Sequence, residues 1–144
     1  MLSELSYLNC DKDIPFFPSH KAKVIKVYDG DTCTLAKINP NNETRGLRYS
    51  GRLYGIDTAE IKGTNLDEKN AAHYSKEVLS KLILDQIVDI EIKGIDKYGR
   101  ILVKLSVGEI CDVSEYMLKN GLAIEYDGTK KKIPDWKLLL DSVK

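Results

Sequence analysis

The chain has no excess of charge of either sign: 22 Lys and Arg residues stand against 22 Asp and Glu in 144 residues. A global basic field for polyanions is thereby excluded, and any attraction to phosphate must come from local placement. Cysteine is scarce. Cys10, Cys33 and Cys111 are odd in number and far apart, which fits neither a disulfide framework nor a zinc site and leads us to expect reduced thiols in an intracellular, cytoplasmic setting. The two histidines, His20 and His73, are too isolated to cage a soft metal. No apolar run approaches the roughly 20 residues of a membrane span. Glu4, Asn9, Asp11, Lys12 and Asp13 interrupt the start of the chain, so no signal peptide is expected either. Internal repeats and low-complexity segments are also absent. What is there, 42% hydrophobic residues in a chain of this length, suffices for one compact domain with a real core.

The residues up to about His20 carry Pro15 and Pro18 around Phe16 and Phe17 and read as an irregular arm, 1–20, ahead of a domain spanning 21–144. From Lys21 to Tyr28 the β-branched Val24, Ile25 and Val27 make a strand. The turn Asp29-Gly30-Asp31 leads into a second run, Thr32 to Ile38, and the pair reads as a hairpin. The polar tract Asn39 to Glu43 breaks the pattern, after which Leu47 to Ile56 forms a third strand ending at Asp57. Between Asp67 and Leu84, Ala71, Val78, Leu79, Leu82 and Ile83 recur at helical spacing. Two more strand-like runs follow, Ile87 to Lys93 and Arg100 to Val107, joined by a turn over Asp96 to Gly99. Asp112 can cap a helix that ends near Asn120 with Gly121 as terminator, and a last helix follows Pro134. Three strands, a helix and two strands is the order of a five-stranded OB-fold barrel. The expected fold class is therefore α+β, a barrel with about three α-helices.

Within this frame Asp31 lies at the entrance of the second strand and Asp57 at the exit of the third. Strand pairing can bring the two carboxylates together, where they invite a hard cation such as calcium or magnesium, with the Thr58 carbonyl and waters as further oxygen donors. Glu60, three residues beyond Asp57, can hold a water beside the same ion and act as general base for attack on phosphorus. Arg52 and Arg100 offer planar, permanently charged donors to the negative equatorial oxygens of such a transition state. Each piece has a plainer alternative. Asp29-Gly30-Asp31 is an ordinary turn sequence. The Asp57 to Glu60 spacing imitates a capping box. Asp96 to Arg100 can be a hairpin turn with a solvated arginine.

Taken together, Asp29-Gly30-Asp31-Thr32, then Arg52-Leu53-Tyr54-Gly55-Ile56-Asp57-Thr58-Ala59-Glu60, then Asp96-Lys97-Tyr98-Gly99-Arg100 strongly resemble the ordered motifs of the staphylococcal nuclease (thermonuclease) family. The resemblance runs from about Lys21 to Tyr126 and into the last helix, and it leaves the N-terminal arm unexplained. It implies an OB barrel with three helices and a calcium-dependent endonuclease that cleaves DNA and RNA, single-stranded in preference, to leave 3′-phosphate ends. One Ca2+ per site is implied, with Mg2+ or Mn2+ as alternatives, and the protein is expected to be a monomer. Carried over by position, Asp31, Asp57 and Thr58 resemble the metal ligands, Glu60 the general base, and Arg52 and Arg100 the arginines on the scissile phosphate. Tyr98 and Tyr126 resemble substrate-contacting tyrosines, with core packing as the alternative for both.

Two departures stand out. Ala59 replaces the usual proline of the Asp-Thr-Pro-Glu motif, removing a fixed backbone angle between ligand and base, so a looser loop is expected. The neutral charge implies weaker phosphate binding with a shallower salt slope. Lys130, Lys131 and Lys132 can supply a local basic rim or be a solvated loop. The competing functional reading is a non-catalytic OB-fold module that binds single-stranded nucleic acid or a protein. Such a module is expected to have lost charged site residues, and none is missing here.

Overall fold

The computed structural model describes residues 2–12, 20–63, 65–128 and 134–142. Phe16, Phe17 and Lys130 to Lys132 lie outside them. Strand β1, Cys10–Lys12, is followed by β2, Lys21–Val27, β3, Thr32–Asn39, and β4, Asn42–Leu53. A short β5, Ile56–Asp57, precedes helix α1, Leu66–Ile83. Strands β6, Ile87–Ile95, and β7, Ile101–Ser106, then lead to α2, Val113–Lys119, β8, Ile124–Glu125, and α3, Trp136–Asp141.

Strands β2, β3, β4, β7 and β6 close on themselves, because β4 also pairs with β7 in parallel through Gly51↔Ile101, Arg52↔Leu102 and Leu53↔Val103. Closure removes the free edges that an open sheet would expose. The expected five-stranded OB barrel with three helices is thus the fold. Its interior is filled by alternating side chains from every strand, with Leu35, Tyr49, Leu53, Ile101, Val103 and Leu105 all almost fully buried. Helix α1 contributes Leu79 and Ile83 to this core. It starts where Asn65 accepts from the Glu68 N–H at 2.7 Å, and it stops where Leu84 turns extended and Asp85 takes a positive φ of 61°. Truncating Leu79 to alanine would leave a cavity and cost about 2–5 kcal/mol.

Two boundaries differ from expectation. The third strand begins at Asn42 rather than near Leu47, because Pro40-Asn41 makes a tight turn in which the Asn39 carboxamide accepts from the Asn41 N–H, instead of a longer break. The same strand stops at Leu53. Tyr54-Gly55 turns the chain, with Gly55 at φ 84°, so that Ile56–Asp57 leaves the barrel and pairs with β8. The residues around Cys10 are not irregular either. Cys10–Lys12 pairs in parallel with Gly46 to Arg48, Leu5 and Cys10 are buried against Ile25 and Ala36, and Lys23 Nζ donates to the Ser3 and Leu5 carbonyls. Burial of Leu5 and satisfaction of a buried ammonium by backbone oxygens tie this segment down.

Candidate active site

The barrel's strand register assembles the site. Thr32 is the direct partner of Arg52 across β3 and β4, so Asp31, one residue earlier, arrives beside the guanidinium. The Asp31 carbonyl accepts from the Leu53 N–H at 2.8 Å, holding the entrance of β3 to the end of β4. Arg52 is in turn paired with Leu102 across the closing seam, which brings Arg100 to the same mouth of the barrel. The β5–β8 ribbon adds the last wall, since the Tyr126 N–H donates to the Gly55 carbonyl.

Arg52 sits between the two aspartates. Its Nη1 is 2.8 Å from Asp31 Oδ2, and its Nη2 is 3.3 Å from Asp57 Oδ1 and 3.1 Å from the Ile56 carbonyl. All three side chains are nearly removed from solvent, at 11%, 7% and 5% exposure for Arg52, Asp31 and Asp57. Burial opposes ionisation of Asp31. The Arg52 guanidinium and hydrogen bonds from neighbours, Thr32 Oγ1 among them, outweigh it and hold the carboxyl below the usual carboxylate range. The Thr58 N–H also donates to Asp31 Oδ2 at 3.1 Å, tying the exit of β5 to the entrance of β3. The arginine responds in kind: burial lowers its pKa, but Asp31 and Asp57 raise it by more. Asp29 behaves oppositely, its carboxyl pushed up to about 7 by burial and by the charge of Asp31.

The turn that carries Asp31 is pressed against α1. A Cβ on Gly30 would meet Ser75 Oγ at 2.4 Å and Thr58 Oγ1 at 3.0 Å, so only glycine lets the turn lie this close. On the other side of the mouth, Asp96 organises the turn that presents Arg100. Its Oδ1 accepts from the N–H groups of Tyr98 and Arg100, and its Oδ2 binds Arg100 Nε at 2.7 Å. Burial works against Asp96, yet the backbone and side-chain donors of Arg100 and the Tyr98 N–H keep it ionised and below its ordinary range. Beyond the Nε, Arg100 forms no ion pair among the described residues.

These groups line a recess of about 310 Å³ bounded by Tyr28, Asp29, Asp31, Arg52, Asp57, Thr58, Ala59, Glu60, Arg100 and Tyr126. A second recess adjoins it through Arg52, Arg100 and Tyr126 and adds Tyr54, Lys97 and Tyr98. The structure therefore brings together Asp31, Asp57, Thr58 and Arg52 at the floor, with Glu60 exposed at the rim and Arg100 half-buried opposite. Tyr98 is 72% exposed, so it is not a core residue. Tyr126 is partly buried, its ring centroid 5.3 Å from Arg52 Cζ. Ala59 is 3% exposed and packs with Ala72 and Trp136, so apolar contact with α1 and α3 restrains the segment that lacks proline. The Asp57 to Glu60 spacing does not cap a helix: Gly63 N–H bonds back to the Glu60 carbonyl in a turn, and Asn65 takes the cap of α1.

The side-chain donors on the recess floor are all oxygen, with neither imidazole nor thiol, and Asp31 is held ionised. That chemistry fits a hard divalent cation. Among the described residues no group of three or more His, Cys, Asp or Glu side chains converges on one point. A cation at Asp31 and Asp57 would have to take its remaining oxygens from backbone and water. Three residues that reasoning from sequence passed over belong to the site. Tyr28 and Asp29 line the recess and Asp96 orients Arg100. For the first two, adjacency to Asp31 across the hairpin turn was the available signal.

The closed OB barrel and the acid-and-arginine recess at its mouth define a nuclease-like domain. A family model described as staphylococcal nuclease homologue matches residues 51–141, and the chain belongs to that family. The match encloses Arg52, Asp57, Thr58, Glu60, Tyr98, Arg100 and Tyr126, and Asp31 precedes it. The chain is similar to an uncharacterized protein of Methanocaldococcus jannaschii, 27% identical over 144 residues covering 84% of this chain and 66% of that protein. It is also similar to a protein of Yarrowia lipolytica named probable endonuclease LCL3, 33% identical over 62% of this chain and 42% of that one. An uncharacterized endonuclease of Escherichia coli is 27% identical over 73% of this chain and 60% of its own length. The chain thus spans between 42% and 66% of the length of these relatives. Among the described residues no helix is long and apolar enough to cross a membrane.

Proposed function

We propose that the domain hydrolyses phosphodiester bonds of DNA and RNA in a calcium-dependent reaction that leaves 3′-phosphate ends. The observation that carries this reading is the buried Asp31–Arg52–Asp57 arrangement, open to the same recess as Glu60 and Arg100. Placing three buried charges at a barrel mouth is costly for stability. A site that gathers anionic oxygens and a cation gives that cost a use. Two relatives named as endonucleases agree with this reading.

Asp31, Asp57 and the Thr58 carbonyl would hold the cation, which when bound supplies positive charge at the scissile phosphate. Glu60, exposed at the rim, takes a proton from a water as that water attacks phosphorus. Arg52 and Arg100 stabilise the negative charge that accumulates on the equatorial oxygens, and the Asp96 contact holds Arg100 in place before substrate arrives. The bond from phosphorus to the 5′ oxygen breaks, the 5′ oxygen takes up a proton from solvent and leaves as a hydroxyl, and phosphate stays on the 3′ side. Tyr98 and Tyr126 contact the nucleotide, and the exposed ring of Tyr98 suits a base free of its duplex partner. We propose single-stranded substrates for the same reason, and a monomeric domain because residues of one chain line the whole recess.

The test is digestion of single-stranded DNA and RNA with calcium, with magnesium and with chelator, using Glu60→Gln and Arg100→Gln proteins of unchanged melting temperature as controls. Calcium-dependent cleavage lost in both variants supports the proposal. Full activity in either variant would overturn the assigned roles, and binding without any cleavage would favour a non-catalytic OB module.

A further inference from the structure

We infer that Tyr28 is a nucleobase-stacking platform on the side of the catalytic recess away from Tyr98, so that bases on both sides of the reacting phosphate are gripped. This rests on the phosphodiesterase reading above. Tyr28 lines the recess that contains Asp31, Glu60 and both arginines, whereas Tyr98 lines the adjoining one. Arg52, Arg100 and Tyr126 are common to the two. The phosphate-binding arginines are thus shared by two adjoining recesses, one lined by each tyrosine.

Tyr28 is 60% exposed. It is also the one aromatic ring of its recess whose face is not already stacked on a cation among the described residues, since Arg52 lies over Tyr126. The rest of that lining is dominated by carboxylates, which offer a base nothing to stack upon, and by the guanidinium groups of Arg52 and Arg100, which aspartates already engage. An exposed tyrosine alone is unremarkable. This one differs in how firmly its backbone is held while its ring stays outside. The Tyr28 N–H donates to the Thr32 carbonyl at 2.9 Å, Val27 before it is buried in the core, and Gly30 after it is wedged under Ser75. A ring on so fixed a turn loses little freedom when a base stacks on it, and base–aromatic stacking tolerates any sequence because every base has a π face.

The experiment measures kcat and KM of Tyr28→Ala and Tyr28→Phe on single-stranded oligonucleotides, including ones with an abasic nucleotide at each position flanking the cleaved bond. Loss of one base–aromatic stack amounts to roughly 5- to 150-fold. Tyr28→Ala is expected to raise KM by about that factor with kcat within about 3-fold, and Tyr28→Phe to restore the wild-type KM. With the abasic nucleotide on one particular side, wild type and Tyr28→Ala should become equal. An unchanged KM in Tyr28→Ala, or a loss confined to kcat, overturns the inference while leaving the nuclease reading intact. If the wild type cleaves nothing, the nuclease reading fails. Fluorescence anisotropy of a labelled oligonucleotide then decides the role of Tyr28: weaker binding by Tyr28→Ala supports stacking and equal binding refutes it.

Discussion

Replacing Arg52 by glutamine removes the cation between two aspartates that are 7% and 5% exposed. Breaking a buried ion pair by deleting one partner costs about 3–5 kcal/mol, because the remaining charge stays out of water without its counter-ion. A domain of this size has a total stability of roughly 7–20 kcal/mol at 0.05–0.15 kcal/mol per residue. The variant should therefore fold, with little in reserve. For a urea slope of about 2 kcal/mol per molar, the unfolding midpoint falls by roughly 1.5–2.5 M. Two further measurements tie that loss to the carboxylates. Adding Asp31→Asn to Arg52→Gln removes one of the stranded charges, so the double variant should be more stable than Arg52→Gln alone. Calcium at about 100 times the wild-type dissociation constant contributes about 2.7 kcal/mol to wild type by mass action, and at that same concentration it should stabilise Arg52→Gln by more, because the guanidinium no longer competes for the same oxygens. A wild-type midpoint in Arg52→Gln, or losses for the two substitutions that simply add, would refute this account of the site.

Other outcomes follow from particular contacts. Gly30→Ala forces a Cβ to within 2.4 Å of Ser75 Oγ, so thermal unfolding should show a loss of about 1–3 kcal/mol, the usual cost of overpacking. Asp96→Ala removes the acceptor for two turn N–H groups and for Arg100 Nε. Cleavage should fall about ten-fold or more as Arg100 loses its orientation, and retained activity in a kinetic assay would sever that link. Alkylation of the native protein at pH 8 should label Cys111 alone. Cys10 and Cys33 are buried, and burial followed by the charge of Asp29 pushes the Cys33 thiol up to about 12.

The barrel was legible because its signals are local and repeated. Val24, Ile25 and Val27 carry β-branched side chains, Leu79, Leu82 and Ile83 recur at helical spacing, and Asp112 and Gly121 bracket α2 with a cap and a positive φ of 69°. The break of the third strand at Tyr54-Gly55 was hidden, since Ile56-Asp57 continues the apolar alternation and only the distant pairing with β8 draws it away. Pairing of Cys10–Lys12 with β4 was hidden for the same reason, as three residues with one apolar member have no periodicity to read. At the site, residue types and order pointed to Asp31, Asp57, Glu60, Arg52 and Arg100. That Arg52 lies between both aspartates depends on the pairing of β3 with β4, which joins Asp31 to a residue far along the chain, whereas the Asp96 clamp on Arg100 and the place of Tyr28 beside Asp31 are local turn contacts whose geometry residue types alone do not give. The looser loop expected at Ala59 overlooked its burial against Ala72 and Trp136, contacts that only the packed helices supply.

The most direct test of the central claim is the single-turnover cleavage rate of Glu60→Gln on single-stranded DNA at saturating calcium, read beside its calcium affinity. If Glu60 is the general base at a cation site built on Asp31 and Asp57, the rate falls by about 10² to 10⁴ while calcium affinity stays near that of wild type. A wild-type cleavage rate in Glu60→Gln would contradict it.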